Sequence, residues 1–243
     1  MASYLWVAFV SMAAGVIQSS LGFGFGMISV MFFPAIMGSI PESSAVTTCV
    51  AMTASVINLI RYYKNVRLRY VLPTILISSL IMPLTTALSR QLPTKILSLM
   101  LGIVMLLFAA YYIAGQKKIE LRPTALTAAA TGAVGGAIGG LFALGGVPVG
   151  IYLLNASPTK DIYYATMQAY IVITDTYGTI VRAVGGIIGS QTLLWIGAGI
   201  LGMMCGMAVG ERIYKKLNQE SLKKCVYLLV GLSGVFKICE FFL

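Results

Sequence analysis

The sequence predicts an all-α polytopic membrane protein made of two inverted-topology repeats, each opening with a glycine-broken helical hairpin. Three observations lead there. Apolar side chains are 58% of the 243 residues and charged ones only 10%, against roughly 45–50% and 25% in soluble domains. Mean hydropathy is +0.91. Two apolar runs are too long for one crossing and carry glycines inside, and the basic residues fall on one side only if those two runs turn back.

Eight uncharged or nearly uncharged runs can be marked: 4–33, 43–60, 71–88, 96–114, 125–154, 162–181, 192–209 and 225–243. Six are near the roughly 20 residues that cross a bilayer as a helix. Runs 4–33 and 125–154 would each make a straight helix of about 45 Å, against a hydrocarbon core of about 30 Å. The first holds Gly22, Gly24 and Gly26; the second holds Gly135, Gly136, Gly139, Gly140, Gly145 and Gly146.

These runs open two halves of similar order, residues 1–116 and 123–243. A slide of 120 positions places Gly15 on Gly135 and Gly26 on Gly146; a slide of 121 places Arg61 on Arg182; a slide of 122 places Arg90 on Arg212. If every run crosses once, Lys and Arg divide evenly between the two sides. If each 30-residue run enters and returns, one side collects Arg61, Lys64, Arg67, Arg69, Lys117, Lys118, Arg122, Lys160, Arg212, Lys215, Lys216, Lys223 and Lys224, and the other keeps Arg90, Lys95 and Arg182. Cytoplasmic loops are the basic ones. Both termini are therefore expected outside the cytoplasm, and halves with an odd number of segments are inverted relative to each other.

Composition also excludes chemistry. With no histidine, imidazole acid–base catalysis and imidazole metal sites are absent. Cys49, Cys205, Cys225 and Cys239 are scattered and form no CxxC pair, so no thiol redox or zinc motif stands out. The net charge of +10 lies between the apolar runs, which reads as topogenic charge rather than a nucleic-acid surface. No GxxxxGK[ST] phosphate loop occurs. The reading is a non-enzyme without cofactor or metal, whose partners are a small anion and the bilayer.

Paired helix breaks in inverted halves point to a transport site. Helix N-termini offer free N–H groups and the positive end of the dipole, which favours an anion, and glycine lets it approach the backbone. The candidate substrate residues are Gln18, Ser19, Ser20, Gly24 and Gly26 at the first break and Gly145 and Gly146 at the second, with Pro148 suited to a restarting helix. Gly135 and Gly139 read as packing residues instead. Along the runs that follow, Thr48, Asn58 and Gln168 are candidate uncharged ligands, although a threonine there also bonds to its own helix. Asp175 is the one acid deep inside a run. It is a candidate proton carrier, or a structural acid bonded to Thr174, Thr176 or Thr179, or a partner of Arg182. Arg61 and Arg182 are expected at helix ends, drawing anions into two vestibules or snorkelling to the interface. Trp6, Trp195, Tyr111 and Tyr112 fit an interfacial belt.

The stretch AGVIQSSLGFGFG, with GGAIGGLFALGGVPVGIYLLNASPTKDIYYATM in the second half, resembles the sulfite exporter TauE/SafE family. The likeness runs from Ala14 to about Ile238. Phe25 and Ala143 stand where glycine is common in that family, and Ile162-Tyr163-Tyr164 replaces a more usual Phe-Arg. The resemblance implies a permease for small sulfur-containing anions, sulfite or organosulfonates such as sulfoacetate, in a bacterial or archaeal plasma membrane. An anion channel with the same site, or a carboxylate permease, has the same sequence features.

Overall fold

The computed structural model of the protein describes residues 2–115 and 124–218, together with 220, 221, 225 and 228. Among the described residues the protein is all helix. The elements are α1 (Ala2–Leu21), α2 (Phe25–Met37), α3 (Ile40–Tyr62), α4 (Leu72–Gln91), α5 (Thr94–Gly115), α6 (Ala125–Phe142), α7 (Gly146–Ala156), α8 (Lys160–Val184) and α9 (Ser190–Lys216). Among the described residues, five helical stretches are long and apolar enough to cross a membrane: Ala2–Leu21, Ile40–Asn65, Leu72–Gln91, Ala125–Phe142 and Ser190–Lys216. The eighth run lies outside the described residues except for Cys225 and Leu228, as do the side chains of Tyr111 and Tyr112.

Helix boundaries follow local chemistry. Gly38 ends α2 in the left-handed region (φ 72°), its N–H donating to the Pro34 carbonyl. Ser39 then accepts from the Glu42 N–H and Pro41 fills the first turn, so α3 starts three residues before its apolar run. Thr159 accepts from the Ile162 N–H and starts α8 in the same way. An N-cap of this kind satisfies an otherwise orphaned helix donor.

Helix α4 is polar inward and apolar outward. Leu72, Leu76, Leu80, Leu84 and Leu88 form an exposed stripe at four-residue spacing, while Thr74, Ser78, Thr86 and Ser89 are buried. The buried hydroxyls donate across to carbonyls of α6: Thr74 to Ala128, Ser78 to Gly132 and Thr86 to Gly140, at 3.1, 2.9 and 3.3 Å. In hydrocarbon, a leucine face has no reason to hide, and helices join instead through small residues and interhelical hydrogen bonds.

Helix α6 answers with Gly132, Gly136 and Gly140. A Cβ on any of them would lie 2.7 Å from a backbone carbonyl oxygen of α4, at Thr74, Ser78 and Met82. Helices α1 and α9 form the matching seam. A Cβ on Gly202, Gly206 or Gly210 would fall 1.9, 2.0 and 2.5 Å from the carbonyl oxygens of Ala8, Met12 and Val16. The third extensive contact joins α3 to α8. Trp6 is exposed, as the belt expectation has it. Trp195 is not: it is 7% exposed, its ring centroid 4.2 Å from that of Tyr4. The α1–α9 seam draws Trp195 inward, because glycines on α9 bring the two backbones together.

Candidate functional site

Both long runs break at their glycines. At the first break, Gly22 and Gly24 adopt φ values of 87° and 114°, open to glycine because it has no Cβ. Helix α1 therefore ends with unpaired carbonyls, which α8 satisfies. The Tyr164 hydroxyl donates to Ser19 O (2.9 Å), the Tyr163 hydroxyl to Leu21 O (2.8 Å) and the Gln168 amide to Gly22 O (2.9 Å). Helix α2 then restarts with unpaired amides. The Gln18 side-chain oxygen accepts from the Phe25 N–H (3.2 Å), and its amide donates to the Ser55 hydroxyl on α3 (2.9 Å).

The second break has the same layout and different chemistry. Ala143 turns the chain at φ 58°, a conformation that costs a non-glycine residue of order 1 kcal/mol. The end of α6 is held by a cation. Arg182, 1% exposed, donates through Nη2 to Gly139 O (2.8 Å) and Gly140 O (3.3 Å) and through Nη1 to Gly178 O (3.2 Å). A helix C-terminus is the negative end of its dipole, so a guanidinium suits it.

The two breaks meet. A Cβ on Gly26, at the start of α2, would lie 2.7 Å from Ala143 O. The Phe23 ring packs on Gly150 of α7, and Phe23 Cβ would be 3.7 Å from a Cβ on Gly146. Between them is a cavity of about 40 Å³ whose walls include Gln18, Gly24, Gly26, Gly145, Gly146, Asp175 and Arg182. A water needs about 10–15 Å³ measured this way, so the space suits a few waters or one small polyatomic ion. Gly26 and Met27 in the first turn of α2 and Gly146 in the first turn of α7 carry amides of the kind a helix leaves without an internal partner.

Asp175 faces this cavity from α8, without a hydrogen bond or ion pair to any described residue. The hydroxyls that a structural acid would use are otherwise engaged: Thr174 donates to Tyr170 O, Thr176 to Val172 O, and Thr179 lies against the Cys49 thiol. Arg182, the other candidate partner, gives its donors to carbonyls and acts on Asp175 through its charge, without an ion-pair contact.

The remaining candidates lie elsewhere. Ser20 donates to Val16 O and Gly210 O, and the buried Ser19 is pressed toward Gly210 in the α1–α9 seam. Thr48 bonds back to Ser44 O. Asn58 and Gln168 are fully buried, with Asn58 Nδ2 and Gln168 Oε1 lacking partners, but neither lines the cavity. Arg61 stands half-exposed and ion-paired to Glu211, which also holds Lys215 at 3.0 Å. Arg182 is not at an open vestibule; the packing of α4 and α6 over the end of α8 buries it. Gly139 does more than pack, since its carbonyl holds Arg182. Sequence reasoning left out Tyr163 and Tyr164 as braces of the first break, and their place in a departure from the family pattern was the only signal.

Gln18 is predicted to be a brace as much as a ligand. Gln18→Leu removes the acceptor for Phe25 N–H and the tie to Ser55, and should lower stability by about 1–2 kcal/mol, as loss of an N-cap does. Thermal unfolding in detergent checks this; an unchanged melting temperature would mean the bond contributes nothing.

A bundle of apolar helices with an exposed leucine stripe, broken twice around a small cavity that holds polar and charged groups in its wall, is an integral membrane transport protein. The chain belongs to the sulfite exporter TauE/SafE family, whose profile it matches over residues 7–236. It is accordingly a small-anion transporter and not an enzyme. No curated protein and no solved structure matches the chain.

Proposed function

We propose that the protein is a secondary transporter of sulfite or a small organosulfonate, working by alternating access around two re-entrant hairpins. In this reading residues 1–116 and 123–243 are inverted repeats and both termini face away from the cytoplasm. The observation that carries it is the meeting of the two breaks at one cavity, with the first turns of α2 and α7, the Arg182 guanidinium and Asp175 around it. An oxyanion takes hydrogen bonds from amides and charge from Arg182. Asp175 is the proton seat if import is coupled to a gradient.

Two further contacts support the architecture. Trp6 and Phe9 near the start of α1 share an apolar cavity with Phe32 and Ile36 near the end of α2, as the arms of a hairpin would. The main seams exchange under the repeat. The sequence mate of α1 is α6 and that of α9 is α4; α1 packs on α9, and α6 packs on α4. A pseudo-two-fold relation produces this pairing. The close approach of Gly26 to Ala143 favours a carrier with an occluded site over a continuous pore.

The test is uptake of labelled sulfite and a small sulfonate into proteoliposomes, with acetate and sulfate as controls, with and without an inward proton gradient. Saturable, selective flux is expected. Gly26→Ala, which drives a methyl into Ala143 O, should cut it at least tenfold, and Asp175→Asn should remove the response to the proton gradient. Flux of acetate in preference to sulfite would replace the substrate, and no flux of any anion from folded protein would sink the reading.

A further inference from the structure

An open depression in the surface, of about 480 Å³, lies where α3 begins, α4 ends and the chain turns from α8 into α9. Its walls include Ser39, Glu42, Arg90, Gly186, Gln191 and Thr192. The helix N-termini of α3 and α9 both open onto it, which gives it the positive ends of two dipoles. Gly186 and Gly189 have nothing within 4 Å of where a Cβ would stand, so these glycines leave space rather than fill it.

Arg90 is the charged group of this depression. No described residue gives it an ion pair or a hydrogen bond. Glu42, the acid in the same wall, accepts from the Thr192 hydroxyl at 3.0 Å and is not within ion-pair distance of Arg90. The contrast with Arg61 is direct, since that arginine is neutralised by Glu211. Arg90 Nη1 lies 3.7 Å from where a Cβ on Gly185 would be. Arg182 Nη1 lies 2.9 Å from where a Cβ on Gly178 would be, so along α8 the free guanidinium stands about two helical turns beyond the buried one.

We propose that this depression is a capture site for small oxyanions, with Arg90 as its charged ligand and Arg182 as the next station inward. Its part in flux rests on the transport reading above; anion binding at Arg90 does not. In the proposed orientation it opens to the non-cytoplasmic side, so it recruits anions from outside the cell. A single free cation at the mouth acts through capture: it lowers KM and leaves the maximal rate alone.

The test uses the full chain with Arg90→Gln, Arg90→Lys and Glu42→Gln. In proteoliposomes at low ionic strength, Arg90→Gln should raise the sulfite KM about threefold or more with an unchanged maximal rate. Arg90→Lys should restore most of the loss, and Glu42→Gln, which removes the opposing charge, should lower KM below wild type. Near 1 M neutral salt, where screening acts within about 3 Å, the variants should converge. Equal KM values for wild type and Arg90→Gln at low salt overturn the inference, while absence of wild-type flux counts against the transport reading alone.

Binding provides a readout free of transport. Trp195 lies one turn beyond Gln191 on α9, and Trp6→Phe leaves it as the one tryptophan. In lipid-free detergent, sulfite should give a saturable fluorescence change that Arg90→Gln removes. A titration identical in both proteins overturns the inference. So does an Arg90 effect seen only as a dependence on phosphatidylglycerol in vesicles, which would make a lipid headgroup the occupant.

Discussion

Gly206→Ala is expected to destabilise the protein by about 3 kcal/mol, the upper range for forcing a methyl into a packed site. The added Cβ would sit 2.0 Å from the Met12 carbonyl oxygen. That atom is backbone, so no side chain can swing aside, and α1 must move off α9 as a whole. For a chain of this size the apparent melting temperature should fall roughly 6–12 °C. Gly197→Ala, on the same helix, is the control. Nothing lies within 4 Å of its Cβ position, and removing an interior glycine should stabilise α9 by up to about 1 kcal/mol. Equal melting of the two variants would rule out the close α1–α9 seam.

Arg182→Gln is expected to abolish transport and to loosen the second break. Gly139 O loses the guanidinium at 2.8 Å and keeps only the Ala143 N–H at 3.0 Å, while Gly140 O keeps the Thr86 hydroxyl at 3.3 Å. A hydrogen bond to a charged group contributes about 1.5–3 kcal/mol, so stability should drop by about that amount. Flux should drop further, at least about a hundredfold, because the cavity loses its cation where desolvation makes charge matter most. Arg182→Lys keeps the charge but not the planar fork, and should recover some binding with little of the bracing. Normal sulfite KM in a destabilised Arg182→Gln protein would make the guanidinium a strut for α6 and nothing more.

The helix breaks were legible because length and glycine content conflict: a 30-residue apolar run cannot be one crossing, and Gly22–Gly24 and Ala143–Gly145 are where the chain yields. Arg182 was not, because an arginine at the end of an apolar run looks interfacial. Its depth is set by α4 and α6 closing over α8, a tertiary fact that hydropathy does not carry. The hydroxyls of α4 were missed for a related reason. Thr74, Ser78 and Thr86 differ from the self-bonded Thr48 and Thr53 only in facing a glycine helix close enough to accept from them. Gly145 shows the limit of assigning one duty per residue. It lines the cavity, and a Cβ there would meet Gly135 O at 2.6 Å.

The α1–α9 seam also sets a timetable for biogenesis. Ser20 on α1 donates to Gly210 O on α9 across 190 residues of sequence. At about 5–20 residues per second of synthesis, α1 waits roughly 10–40 s for its partner. During that interval Ser11, Ser19 and Ser20, all buried in the finished bundle against α9, stand without those neighbours at the insertion site. Helix α1, made well before α9, is thus among the last to be enclosed, and a nascent chain cut short before α9 presents a polar face to lipid that cellular quality control can recognise.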